Sequence, residues 1–175
     1  MTDTTDPYTP PVREWEPMDI NPPKLGLEFA FRIRMQLGTR QKLGRLPQGG
    51  IRGFVSAAGG VIEGPRLNGR VIPGSGGDWA LYRDDNTVQF SAHYLLEADD
   101  GTQIYIKNAG YRHAPPEVAE KQERLEEVRF DEYYMRICPT FECQVGPHDW
   151  LTRHVIVGCG ERHADYSIFH YYIVT

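Results

Sequence analysis

The chain is 175 residues long, with 40% hydrophobic and 25% charged residues, the balance of an ordinary soluble globular protein and enough chain for one domain with a real core. Its formal charge of −5 leaves no basic footprint for nucleic acid or an anionic membrane surface, so neither is expected as a partner. No stretch nears the roughly 18 apolar residues of a membrane helix, and the N-terminus lacks the basic start and apolar run of a secretory leader.

Residues 1–23 read as an extended tail. Pro7, Pro10, Pro11, Pro17, Pro22 and Pro23 remove backbone donors, and only Trp15 and Met18 could pin the segment to a domain that begins at residue 24 and runs to 175. The pattern then changes. Leu25, Leu27, Phe29, Phe31, Ile33, Met35 and Leu37 alternate with small or polar residues, a period of two that predicts a long strand with one apolar face.

Beyond this strand, glycine and proline divide the chain into shorter strand-like runs: 51–57, 61–64, 67–73, 79–83, 87–97 and 102–111, with a hairpin turn at Asp99-Asp100-Gly101. The rhythm breaks over 115–127. Pro115 and Pro116 suit a helix start, the pairs Glu117/Lys121 and Glu120/Arg124 stand at i,i+4, and the few apolar residues put this short helix on the surface. Strands resume over 133–143, 153–162 and 166–174. Eight to ten strands, one helix and no βαβ alternation predict an all-β fold, a closed antiparallel barrel of lipocalin-like proportions.

Chemistry-bearing motifs are sparse. The Gly74-Ser75-Gly76-Gly77 run leads into a strand rather than a helix, so it is a tight turn that brings Asp78 to a cavity mouth and not a phosphate loop. Six histidines form neither HExxH nor a zinc-spaced set with cysteine, and no metal or other cofactor is expected. Cys138, Cys143 and Cys159 make no CxxC pair, which predicts buried, free thiols and a reducing, cytoplasmic setting.

Polar residues share strand faces. Tyr134, Arg136, Thr140 and Glu142 have one parity, as do Gln103, Tyr105 and Lys107, and Gln89, Ser91 and His93. Parity alone leaves two readings: the wet outside of a barrel, or the lining of a cavity inside it.

The runs Glu63-Gly64-Pro65-Arg66-Leu67-Asn68-Gly69, Gly77-Asp78-Trp79, Asp100-Gly101-Thr102-Gln103-Ile104-Tyr105-Ile106-Lys107-Asn108 and Gly110-Tyr111-Arg112 resemble the DUF3237 (UPF0311) family. So do Tyr133-Tyr134-Met135-Arg136, Phe141-Glu142, Trp150-Leu151 and Gly158-Cys159-Gly160-Glu161-Arg162, in order across roughly residues 25–174. The resemblance implies a closed β-barrel, often self-associated, here expected as a homo-oligomer with a dimer favoured. It implies a role in small-molecule metabolism, including natural-product cyclisation and aromatic catabolism. Two departures stand out: Ser91-Ala92-His93 occupies a place where the family often carries Asp, Ala and Arg, and the glycine loop is one residue longer.

With the resemblance, the cavity-lining reading leads. The expected function is a cofactor-independent lyase or isomerase acting by acid/base chemistry on a small aromatic or terpenoid-like metabolite; the alternative is a non-catalytic barrel that binds a hydrophobic small molecule. In the catalytic scheme Glu142 or Asp78 moves the proton, and Tyr105 and Lys107 stabilise developing negative charge. Trp79 and Tyr94 form an apolar wall, Arg32 or Arg136 orients an oxyanion, and His93 and Tyr134 complete the substrate contacts.

Overall fold

The structure, a computed structural model, describes residues 21–175. The tail expected over 1–23, with Trp15 and Met18, lies outside the described residues except for its last three. Among the described residues the fold has ten strands and one α-helix: β1 (Leu27–Arg45), β2 (Ile51–Glu63), β3 (Gly69–Val71), β4 (Gly77–Asp78), β5 (Leu81–Tyr82), β6 (Thr87–Ala98), β7 (Gln103–His113), α1 (Pro116–Glu123), β8 (Tyr134–Cys143), β9 (Ile156–Arg162) and β10 (Tyr166–Val174).

All pairings are antiparallel. The sheet runs β1-β10-β9-β8-β7-β6, and β6 then reaches β2 through β3, β4 and β5, each laid between those two long strands. Because β2 also pairs with β1, the strands follow one another in a ring. Such a ring leaves few unpaired sheet edges, and its alternating side chains define an inside and an outside.

The structure corrects three expectations. The runs 51–57 and 61–64 are one strand, β2, with Gly59 at φ +135° taking a backbone angle that a side chain would resist. The run 79–83 is not one strand: β4 and β5 are two residues each and flank Trp79. The helix expected to reach 127 ends at Glu123. Leu125 takes φ +62° there, while its N–H and that of Glu126 return to the Gln122 and Lys121 carbonyls, a Schellman closure with a non-glycine residue in the left-handed position.

The interior has a solid end and a hollow one. At the solid end Phe31 stacks on Tyr171 with ring centroids 4.6 Å apart, and Phe141 meets Tyr171 edge-on at 6.2 Å. Ile33, Leu96, Ile104 and Ile106 fill the space around them, and a 3-10 turn over Asp149–Thr152 buries Trp150 and Leu151 against the same cluster. At the other end the same strands surround a cavity. Helix α1 lies beside that opening, anchored by Val118 against Tyr133 and Met135.

Candidate functional site

The cavity measures about 180 Å³, room for on the order of ten waters or the small molecule that displaces them. Met35, Phe90, Ala92, Met135 and Phe169 give it an apolar wall, and Asp78, Arg112 and Arg162 bring charge into it. Gln122, Glu123 and Leu125 from the end of α1, with Arg40 and Lys42 from β1, line it as well. Each of these positions has a local cause.

Asp78 arrives by close backbone approach. A Cβ on Gly76 would stand 1.9 Å from the His93 carbonyl oxygen, and one on Gly77 would stand 2.4 Å from that of Val55. Only glycines let β4 slip between β2 and β6, where Asp78 pairs with Val55 on one side and Ala92 on the other. Arg112 belongs to the apolar parity of β7, following Ile104, Ile106 and Asn108, and so points inward. Arg162 continues the inward series of Gly158 and Gly160 on β9. Arg40 and Lys42 face the cavity because register shifts after Gln36 and Leu37 re-aim β1.

The electrostatics are those of a charged group in an apolar hollow. Burial pushes the Asp78 carboxyl up to about 6, against partial relief from the Ser91 N–H, which donates to Oδ1 at 2.9 Å, and from Arg112 and Arg52. Burial lowers Arg112, and it lowers Arg162 to about 10, helped by the like charges of Arg40 and Arg112. Deeper in, Tyr94 and Asn108 are each only 3% exposed. Asn108 Nδ2 donates to the Tyr171 hydroxyl at 3.2 Å, whereas the Tyr94 hydroxyl and Asn108 Oδ1 have no partner among the described residues. Burial drives Tyr94 up to about 12, so its phenol stays a donor at neutral pH.

Of the residues singled out from sequence, Asp78 and Tyr94 line the cavity. The others do not. On the outside of β6, β7 and β8, His93 Nδ1 and the Tyr105 hydroxyl stand 2.6 Å apart, and Lys107 Nζ lies 3.4 Å from Glu142 Oε1. Tyr134 and Arg136 also face outward, the guanidinium 5.0 Å from the Tyr134 ring centroid. They lie on an open outer groove of about 760 Å³ shared with Tyr111, Cys138 and Tyr172. Arg32 pairs with Glu63 at 2.9 Å on the outer surface, and Trp79 is half exposed against Phe54.

The reason is parity: β7 and β8 pair without a slip through Pro139, so the polar set lies opposite Ile106, Ile137 and Phe141 throughout. Sequence reasoning missed Arg112, Arg162 and Asn108. A signal for them exists: each interrupts an otherwise apolar or glycine series on its own strand.

Cys138 is exposed rather than buried, and all three thiols are unpaired. Burial holds Cys143 and Cys159 above the usual thiol range, the opposite of nucleophile activation. Among the described residues no group of three or more His, Cys, Asp and Glu side chains is placed to hold a metal, and no helix is long and apolar enough to cross a membrane.

An antiparallel ring of strands around an open-mouthed, partly charged hollow defines a class of protein with room for one small ligand. The chain belongs to the DUF3237 family, described as a protein of unknown function, whose model matches residues 25–174. A UPF0311 protein of Rhodopseudomonas palustris (strain TIE-1) is 32% identical over 143 residues, 82% of this chain and 92% of that protein. The crystal structure of the R. palustris protein RPA1785, of unknown function, superposes with a TM-score of 0.84 at 30% identity, over 88% of this chain and all of that one. A protein of Acinetobacter baumannii described as beta-barrel like matches with a TM-score of 0.77 at 31% identity, over 90% of this chain and all of that one. More distantly, the hydroalkoxylation enzyme phnH of Penicillium herquei is 30% identical over 80 residues, 46% of this chain and 52% of that enzyme.

Proposed function

We propose that the protein is a cofactor-independent enzyme, a lyase or isomerase, that holds a small aromatic or terpenoid-like metabolite in the hollow end of a closed barrel and moves a proton with Asp78. The carrying observation is a carboxyl pushed up to about 6 in a largely apolar cavity. Such a group titrates just below neutral pH, in the range where one side chain can both give and take a proton. The Ser91 N–H occupies Oδ1, so Oδ2 is the oxygen available for transfer.

The proton leaves Asp78 for one atom of the substrate, and the resulting carboxylate accepts a proton from another. Nothing is oxidised or reduced, and the enzyme ends as it began. Hydroalkoxylation, the activity in the Penicillium relative's name, is a reaction of this kind: an O–H adds across a C=C bond, with hydrogen on one carbon and oxygen on the other.

A thermal-shift screen of small phenolic and terpenoid alkenols finds candidate ligands, and chromatography at constant mass then detects isomerised products. Asp78→Asn is expected to keep binding and to lower kcat about 10²–10⁴-fold. An Asp78→Asn protein that turns over at the wild-type rate would sink the assignment. Cavity ligands that are always recovered unchanged would leave a binding barrel instead.

A further inference from the structure

The hollow end holds more positive than negative charge. Arg40, Lys42, Arg112 and Arg162 line it against two carboxylates, Asp78 and Glu123, and Glu123 is exposed on α1 at the mouth. The cationic groups are not consumed by ion pairs among the described residues. Arg162 Nη1 donates to the His163 carbonyl and, at 3.3 Å, to that of Tyr166, and Arg40 donates to the Ala164 carbonyl. The Arg112 guanidinium makes no hydrogen bond among the described residues. Arg112 stands near enough to lower the basicity of Arg162, an unfavourable arrangement that an anion between them would relieve.

The rest of the lining narrows the kind of anion. Met35, Phe90, Ala92, Met135 and Phe169 present hydrocarbon, which a bare inorganic ion cannot use. At the inner end the Tyr94 hydroxyl and Asn108 Oδ1 are closed off from the cavity space, on residues only 3% exposed, with Tyr171 beside them.

We propose that the cavity is built for a small organic oxyanion, a carboxylate or phenolate whose charged oxygens lie on Arg112 and Arg162 while its hydrocarbon packs on the apolar wall. This names the substrate class for the catalytic reading above, and it rests on that reading only for the cavity being the ligand site. It also gives Asp78 its working state. An anion beside the carboxyl opposes its ionisation, so the bound complex keeps the proton on Asp78 to higher pH than the free protein does.

The converse is measurable. Asp78 faces Arg52 of β2, Arg112 of β7 and Tyr94 of β6, with Arg40 and Lys42 of β1, Tyr82 of β5, Arg162 of β9 and Glu123 of α1 around the same hollow. Among these groups Asp78 is the one whose raised value places its titration near 6. Anion affinity is therefore expected to rise as pH falls from about 7.5 to about 5, since protonation removes the negative charge facing the ligand.

Calorimetric titration of the full chain tests this with matched probes: 4-hydroxybenzoate against 4-hydroxybenzamide for the carboxylate arm, and 2,4-dinitrophenolate, which stays ionised across this range, against its methyl ether for the phenolate arm. Inorganic phosphate serves as the control. At least one anion is expected to bind about tenfold or more tighter than its neutral partner, the scale of a charge-assisted contact, and the arm that does so identifies the headgroup. Arg112→Gln should shrink that ratio to about threefold or less, and Asp78→Asn should keep it while abolishing its pH dependence.

Neutral probes that bind as well as both anions, phosphate that binds more tightly than either, or an Arg112→Gln protein that retains the full ratio would each overturn the proposal. Should Arg112→Gln fail to fold, the wild-type pH series decides alone, and a flat anion affinity refutes it. These are binding readouts. An Asp78→Asn protein with wild-type turnover would remove the proton-transfer reading while leaving the anion preference plainly measurable.

Discussion

The solid and hollow ends of the ring are walled by the same strands, and the difference lies in what each inward series becomes. On β6 the series runs from Leu96 and Tyr94 to Ala92; on β7 from Ile104 and Ile106 to Asn108, Gly110 and Arg112; on β10 from Tyr171 to Ser167. Large aliphatic and aromatic side chains interdigitate across the ring at one end. Small or long charged side chains at the other cannot fill it, and the strands cannot close in, because ladder hydrogen bonds on both flanks fix the circumference. Stability and function are thus separated along one set of strands. The solid end supplies buried area, and the hollow end carries the titratable groups that a packed core excludes.

That separation can be broken most directly by removing volume. Ile104 is fully buried in the solid end, and Ile104→Ala opens a void among well-packed neighbours, a loss expected at about 2–5 kcal/mol. Met35 is nearly as buried but faces the cavity. Its outer atoms already lack partners on one side, so Met35→Ala enlarges an existing hollow and should cost about 1 kcal/mol less than Ile104→Ala. Urea unfolding of the two variants measures both. Equal losses would mean that the hollow end is packed in solution and that no functional cavity distinguishes it.

The next effect separates the ends by charge. The folded Asp78 carboxyl titrates at about 6 against an ordinary value of 3.8, so folding binds its proton more tightly. The stability this confers is fully present below about pH 4 and is lost as pH rises through about 6. At about 1.4 kcal/mol for each tenfold in the ionisation constant, the whole rise is worth roughly 3 kcal/mol. Asp78→Asn has no such proton to lose. Relative to wild type it should gain up to that amount at pH 7.5 and little at pH 4, read from urea midpoints at the two values. A variant destabilised equally at both would show that Asp78 is a structural hydrogen-bonding group and not a functional carboxyl held at a cost in stability.

How much of this the sequence held differs between the two ends. The solid end was legible in its strands but not in their faces: alternation over Phe31 to Leu37 and along 103–111 and 134–143 marks the strands, parity left open which face is buried, and a bulge between Phe29 and Phe31 leaves Leu27 and Phe29 exposed. The small strands β4 and β5 were not, since two residues carry no period. The hollow end was legible at Asp78, where glycine permits a close backbone approach ahead of a charged residue.

Arg40 and Lys42 were hidden by register shifts in β1, which reverse parity without a mark in composition. Arg112 and Arg162 were hidden by a different habit, that of seeking function on the polar face. A charge on the apolar face is the stronger signal, because only a site or a paired network keeps it there.

The smallest expected effect belongs to the outer face. Lys107 and Glu142 meet at 3.4 Å with side chains 47% and 68% exposed, and His93 and Tyr105 sit beside them in solvent. Water screens such a pair, and ordering two long side chains offsets most of what attraction remains. Glu142→Gln and Lys107→Gln should each change stability by no more than about 0.5 kcal/mol. They should also leave ligand affinity and turnover within about twofold of wild type, because neither side chain has a path to the cavity except through the wall formed by Ile106, Asn108 and Phe141. The same face carries Tyr134 and Arg136 over an open groove larger than the cavity, so a surface site there is a definite competitor. A fall in kcat of about a hundredfold in Glu142→Gln, with Asp78→Asn unaffected, would move the chemistry to the outside of the ring and make the hollow end a packing defect.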